Sequence, residues 1–135
     1  MKESYLRSIV VKALKPLDAV SVENAVRSGT PDINFIEGWV ELKWVANWPV
    51  RDQTVLKVEH FTPQQRVWIM RRAIAGGNIW VLLRVEKEWL LLPGLWASRN
   101  LGKATKNQLL LAVAGYWKAR LDPKELVAML RNGKG

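Results

Sequence analysis

Gly29-Thr30-Pro31-Asp32-Ile33-Asn34-Phe35-Ile36-Glu37-Gly38-Trp39-Val40-Glu41-Leu42-Lys43-Trp44 is a stretch that folds back on itself. Apolar residues alternate with polar ones on both sides of the turn dipeptide Glu37-Gly38, the pattern of a half-buried hairpin. With those two residues as the loop, Phe35 faces Val40, Asn34 faces Glu41, Ile33 faces Leu42 and Asp32 faces Lys43. Side chains alternate faces along a strand. Asp32, Asn34, Glu41 and Lys43 therefore emerge on one side, and Ile33, Phe35, Val40, Leu42 and Trp44 on the other. Carboxylates at cross-strand distance repel each other unless a cation lies between them. Hard divalent ions such as Mg2+ take oxygen ligands, often one or two carboxylates together with a substrate phosphate. Gly29 tolerates unusual dihedrals and Pro31 forces Thr30 extended, so the loop before Asp32 is a rigid approach to that residue.

Working outward, residues 3–15 carry Leu6, Ile9, Val10, Ala13 and Leu14 at helical spacing, and Pro16 ends the run. Glu3 has two readings: an acid favoured by the positive end of the helix dipole, or a carboxylate reaching over the sheet toward Asp32 and Glu41. Residues 19–25 alternate as a first strand, with Glu23 either an outward strand residue or a further carboxylate for the same face. After Trp44 the chain is irregular to residue 60, bordering the charged face with Trp48, Arg51 and Lys57. His60 at its end fits a surface or capping residue better than a general base. Thr62 is then an N-cap, Pro63 a first helical residue and Gln65 the partner of a capping box. That helix runs to Ala75 and stops at Gly76-Gly77. Residues 78–85 are almost continuously apolar, as in a buried central strand, and residues 89–92 return beside it.

The chain has 135 residues, a length suited to one domain, with a core over about 1–93 and a basic helical extension over about 94–135. It has no cysteine and one histidine, which excludes disulfides, thiolate metal sites and a multi-histidine zinc site. No run approaches the ~20 apolar residues of a membrane span. The first residues lack the apolar segment of a signal peptide, so a cytoplasmic location is expected. The net charge is +9, with eight Lys/Arg against two acids in residues 94–135. A surplus of this kind favours a polyanionic partner. Most of the eight tryptophans fit core or interface anchors. In the tail, residues 105–121 space Leu109, Leu110, Val113, Tyr116 and Trp117 as a helix, and Asp122-Pro123 starts another. Lys103, Lys106, Lys118, Arg120, Lys124 and Arg131 make this segment the expected phosphate-contact surface.

Pro31-Asp32 followed by Glu41-Leu42-Lys43 resembles the signature of the PD-(D/E)xK nuclease superfamily. Within it, Gly29-Thr30-Pro31-Asp32, the Glu41-Leu42-Lys43 strand, Phe61-Thr62-Pro63-Gln64-Gln65 and Gly77-Asn78-Ile79-Trp80-Val81 are similar to the VRR-type (virus-type replication and repair) nucleases. The likeness spans roughly residues 3–85. It implies an α/β, restriction-endonuclease-like core (α-β-β-β-α-β, a mixed central sheet flanked by helices). It also implies a Mg2+-dependent DNA endonuclease in which Mn2+ substitutes. Asp32, Glu41, the Leu42 carbonyl and Glu3 would be metal ligands, and Lys43 and Gln65 would be catalytic. Stand-alone relatives of this size suggest a phage-type homodimer acting on branched DNA such as Holliday junctions, in the host cytoplasm. The long connection over 45–60 and everything after Pro93 depart from the pattern. A site-specific endonuclease of homing or restriction type, and a non-catalytic nucleic-acid-binding module, are the alternatives.

Overall fold

The computed structural model describes residues 3–22 and 29–133, except the side chain of Glu3. Helix α1 (Glu3–Ala13) leads through a 3-10 turn (Lys15–Leu17) into β1 (Val20–Ser21), β2 (Ile33–Phe35) and β3 (Gly38–Val45). Then come α2 (Pro63–Ile74), β4 (Asn78–Val85), β5 (Glu88–Pro93), α3 (Gly94–Asn100), α4 (Lys106–Ala112), β6 (Gly115–Trp117) and α5 (Pro123–Asn132). The six strands form one mixed sheet in chain order. Every pairing is antiparallel except β3 with β4. Those two strands are joined through α2, because a parallel pair needs a crossover and not a hairpin. The architecture is α/β, with helices on both faces of the sheet.

Period-two alternation sorts the strand residues into two cores. On one face Ile33, Phe35, Val40, Leu42 and Leu82 pack with Leu6 and Val10 of α1, with Leu14 just after it, and with Leu126 and Leu130 of α5. On the other, Ile79, Val81, Leu83 and Leu90 pack with Ile69 of α2, Ala97 of α3 and Leu109 of α4. Strand β4 contributes to both, which is why its sequence is apolar at almost every position. Each fully buried Leu, Ile or Phe contributes about 1.5–3 kcal/mol relative to exposure.

The hairpin forms in a different register from the expected one. Phe35 pairs with Gly38, Asn34 with Trp39 and Ile33 with Val40, so the loop is Ile36-Glu37. The reason is Gly38, which acts as a strand residue: a Cβ there would lie 1.9 Å from the Asn78 carbonyl oxygen. Its lack of a side chain lets β3 and β4 start side by side, a tertiary demand the turn reading did not contain. The partner of each residue shifts by two, so the faces are unchanged.

Other expectations also need correction. Helix α1 ends at Ala13, and Pro16 sits inside the 3-10 turn that follows, closed by Asp18 at φ 52°. Strand β1 is two residues long, and residues 23–28, including Glu23, lie outside the described residues. The helix expected over 105–121 stops at Ala112, and residues 115–117 form β6 on the open edge of β5. Edge hydrogen bonding, begun by Ala114 N–H to the Leu91 carbonyl, outweighs the helical spacing of that segment. Trp117 and Leu121 are thereby buried in the α1-side core, so the C-terminal segment is woven into the sheet as well as adding helices. The capping expectations hold. Thr62 and Gln65 form a reciprocal capping box, and the Asp122 side chain accepts from the N–H groups of Lys124 and Glu125. No helix among the described residues is long and apolar enough to cross a membrane.

Candidate active site

Asp32 stands one residue before β2, and extending the observed register by one step sets it opposite Glu41. It is held there from several sides. Its Oδ2 accepts from the Leu42 N–H (2.9 Å), and its own N–H donates to Glu41 Oε1 (3.2 Å). Its Oδ1 pairs with the Arg7 guanidinium, 2.9 Å away, brought over from α1. The backbone bond makes Asp32 continue the β2–β3 ladder with its side chain where its strand has stopped. The amide and carbonyl of one strand residue leave on the same side, so the Leu42 carbonyl also leaves β3 on the side of β2. The Leu42 side chain is buried in the opposite core.

The loop before Asp32 is fixed by a close approach. Gly29 has φ +90°, and a Cβ on it would lie 2.4 Å from the Gln64 carbonyl oxygen. Gly29 therefore rests directly on the first turn of α2. Gly29→Ala is expected to cost about 2 kcal/mol or more, combining left-handed strain with a backbone clash. Thermal denaturation checks this; an unchanged melting temperature would mean that the loop does not pack there.

Lys43 is 7% exposed and Glu41 1%. The Lys43 Nζ lies 2.9 Å from Glu41 Oε2 and donates to the His60 carbonyl (2.7 Å) and to Gln65 Oε1 (3.0 Å). An ammonium has three N–H groups, and these three acceptors use them all. Gln65 Oε1 also accepts from the Thr62 N–H (3.0 Å), so one side chain both caps α2 and orients the lysine. Phe61 covers the group, with its ring centroid 5.3 Å from Nζ. A hollow of about 120 Å³ opens alongside, lined by Leu6, Leu42, Lys43, Trp44, Val58, Glu59 and His60.

Burial pushes the Glu41 carboxyl up to about 8, and the negative charge of Asp32 adds to this; Lys43 opposes it without cancelling it. The site therefore disfavours a second negative charge unless more positive charge is supplied. The donor set, two facing carboxylates with a backbone carbonyl beside them, is hard oxygen and fits a divalent cation such as Mg2+. Among the described residues no three or more His, Cys, Asp or Glu side chains come together in a way that could hold a metal ion, so the carboxylate pair stands without a third such ligand there. The Glu3 side chain, expected as a further ligand, lies outside the described residues.

Asp32, Glu41, Lys43 and Gln65 are thus brought together, although Asp32 faces Glu41 and not Lys43. Asn34 shares their face but donates to the Gly38 carbonyl (3.0 Å), closing the hairpin turn. Trp48 anchors the long connection, with its backbone N–H on Glu86 and its indole N–H on Glu88. Arg51 and Lys57 are exposed on that connection.

The six basic residues expected to share one surface do not. Lys103 and Lys106 belong to the layer of α2, whereas Lys118, Arg120, Lys124 and Arg131 lie along the β6–α5 segment, whose helix packs on the other face. Lys106 sits 3.9 Å from Glu88 and Arg131 3.7 Å from Glu37. Sequence reasoning missed Arg7, which reaches Asp32 from 25 residues away in the chain. An arginine at the polar edge of an amphipathic helix carries no local sign of its partner. It also missed the His60 backbone carbonyl, which acts where the side chain was considered.

No family model, curated protein or solved structure matches the chain.

Proposed function

We propose that this protein is a divalent-cation-dependent DNA endonuclease whose reactive centre is Asp32, Glu41 and Lys43. The observation that carries the reading is the buried Glu41, set between Asp32 and Lys43 and pushed toward its protonated form. A packing role alone offers no reason to bury Glu41 against a facing, half-buried Asp32, since buried charge is costly unless compensated. The sequence resemblance to PD-(D/E)xK nucleases, on these same residues, supports it independently of the geometry.

In this reading Asp32, Glu41 and the Leu42 carbonyl would hold Mg2+, for which Mn2+ would substitute. When bound, the ion supplies charge neutralisation at the scissile phosphate and acidifies the attacking water. The chain's own groups do the rest. Leu42 N–H and Arg7 fix the Asp32 carboxylate, while Lys43 fixes Glu41 and is itself fixed by Gln65 and the His60 carbonyl. Such orientation before substrate arrives is what keeps reorganisation out of the barrier. Lys43 can stabilise charge developing on the phosphate by exchanging one of its three present acceptors for a phosphate oxygen. Phe61 and the wall of the adjacent hollow limit water around that exchange.

The substrate class is tested by cleavage, with Mg2+, of a four-way junction, a flap, a nicked duplex, a plain duplex and a long mixed-sequence duplex. Preferential cutting of the branched forms is expected. Cutting at fixed sequences in the long duplex would point to the site-specific alternative. No cutting of any substrate would reject the endonuclease reading and favour a binding module.

A further inference from the structure

The face that carries Asp32, Glu41 and Lys43 continues beyond them. One pair further along the hairpin, roughly 7 Å at strand rise, Asn34 is opposite Trp39. The Trp39 ring meets Trp68 of α2 edge to face, with centroids 5.3 Å apart. Gln65, Trp68 and Arg72 follow one another at helical spacing, so the stripe of α2 that touches Lys43 at its start reaches Trp39 and then Arg72. Arg72 lies over the Trp68 ring at 4.6 Å. Here a groove of about 530 Å³ opens, lined by Trp68, Arg71, Arg72, Ile74 and Ala75.

The charge at this groove is one-sided. Helix α2 has three arginines and no acid, and neither Arg71 nor Arg72 forms an ion pair with a described residue. Both are exposed. The groove thus offers two guanidinium groups with no carboxylate partner among the described residues, one of them stacked on an indole, in line with the carboxylate centre. Guanidinium groups match phosphate oxygens in geometry and charge. A cationic groove with an aromatic wall is the usual way of following a nucleic-acid backbone. A second copy of the chain is a poor occupant, because a two-fold contact through this patch would bring its arginines against one another.

We propose that the Trp68/Arg71/Arg72 groove holds the DNA strand flanking the scissile phosphate, with the two arginines on its backbone. This rests on the endonuclease reading for its direction, and makes the α2 side, in place of the C-terminal basic segment, the main phosphate-contact surface.

The test compares the full-length protein with the double variants Arg71→Gln/Arg72→Gln and Lys118→Gln/Lys124→Gln, which remove equal charge. Binding of a fluorescein-labelled four-way junction is measured in EDTA over a range of salt concentrations. The α2 variant is expected to bind about tenfold more weakly near 0.1 M salt. Its logarithmic salt slope should fall by about 1.4–1.8, from two contacts at about 0.7–0.9 each. The Lys118/Lys124 variant should change both quantities less. An unchanged slope in the α2 variant, or equal loss in both variants, overturns the proposal. So does a shift from dimer to monomer on sedimentation of the α2 variant without weaker DNA binding, which would make the groove a self-contact. Junction cleavage with Mg2+ separates the two readings. Cutting by the wild type with no binding change in the α2 variant removes the groove alone. The expected binding change with no cutting of any substrate removes the endonuclease reading and leaves the groove standing.

Discussion

Asp32→Asn is expected to lower DNA cleavage by at least a few hundredfold, on the order of the loss seen when one preorganised charge-stabilising group is removed, while the fold survives. The amide is the same shape as the carboxylate, and its oxygen can still accept from the Leu42 N–H. What disappears is the charge opposite Glu41 and the anionic half of the pair with Arg7. That pair is partly exposed, at 20% and 13%, so its loss should cost only about 1 kcal/mol. A second consequence is independent of activity. The Asp32 charge is one of the causes that raise Glu41, so the variant should bring the Glu41 carboxyl down toward its usual range. Single-turnover cleavage of a labelled junction with Mg2+ gives the first quantity, and carboxyl-detected NMR titration the second. Cleavage within tenfold of wild type would remove Asp32 from the reactive centre. An unmoved Glu41 would mean that the two carboxylates do not face each other.

The second large effect is a coupling between pH, cation and stability. In the cation-free protein Glu41 titrates at about 8 against 4.5 for the ordinary group, so between these values the folded state binds more protons than the unfolded one. Stability contributed by this residue is therefore greatest at low pH. It falls as pH rises from about 4.5 to about 8, by up to about 1.4 kcal/mol per pH unit. Glu41→Gln should abolish that decline, which denaturant unfolding at pH 5, 7 and 9 in EDTA would show. A divalent cation requires the ionised carboxylate, so binding must displace the proton. Below about pH 8 its affinity should rise close to tenfold per pH unit and release about one proton per ion, and above that level off. Calorimetric titration of Mn2+ in buffers of different ionisation enthalpy counts the protons. No proton release at pH 6.5, together with measurable binding, would show that Glu41 is not a ligand. Lys43→Ala adds a check on sign: it leaves Glu41 buried without its cation, so its destabilisation should be larger at pH 9 than at pH 6.

How much of this was legible in the chain depends on whether the controlling contact was local. The Thr62/Gln65 capping box, the Asp122 cap and the extent of β4 follow from a few adjacent residues, and each is found where the spacing puts it. The sorting of Asp32, Glu41 and Lys43 onto one face, away from Ile33, Val40 and Leu42, also follows from alternation alone. It survives a register error because partners shifted by two keep their faces. What failed had its cause elsewhere in the molecule. Gly38 looks like a turn residue until Asn78 is placed against it. Residues 115–117 look helical until β5 presents an unpaired edge. The tail lysines and arginines look like one surface until α5 crosses to the far side of the sheet from α4.

Residue order alone set the chemistry on offer: two carboxylates and a lysine on one face of a hairpin, a glutamine at a helix start, and a strong cationic surplus. How these groups meet depended on the packing of distant segments. It set Asp32 against Glu41, brought Arg7 across from α1, closed the Lys43 coordination with a backbone carbonyl, and aligned Trp39, Trp68 and Arg72 with the site. Alternation and capping are properties of neighbouring residues. Burial, register and the fields that shift a carboxyl are set by segments many residues apart, and these come into contact only when the sheet and its two helical layers assemble.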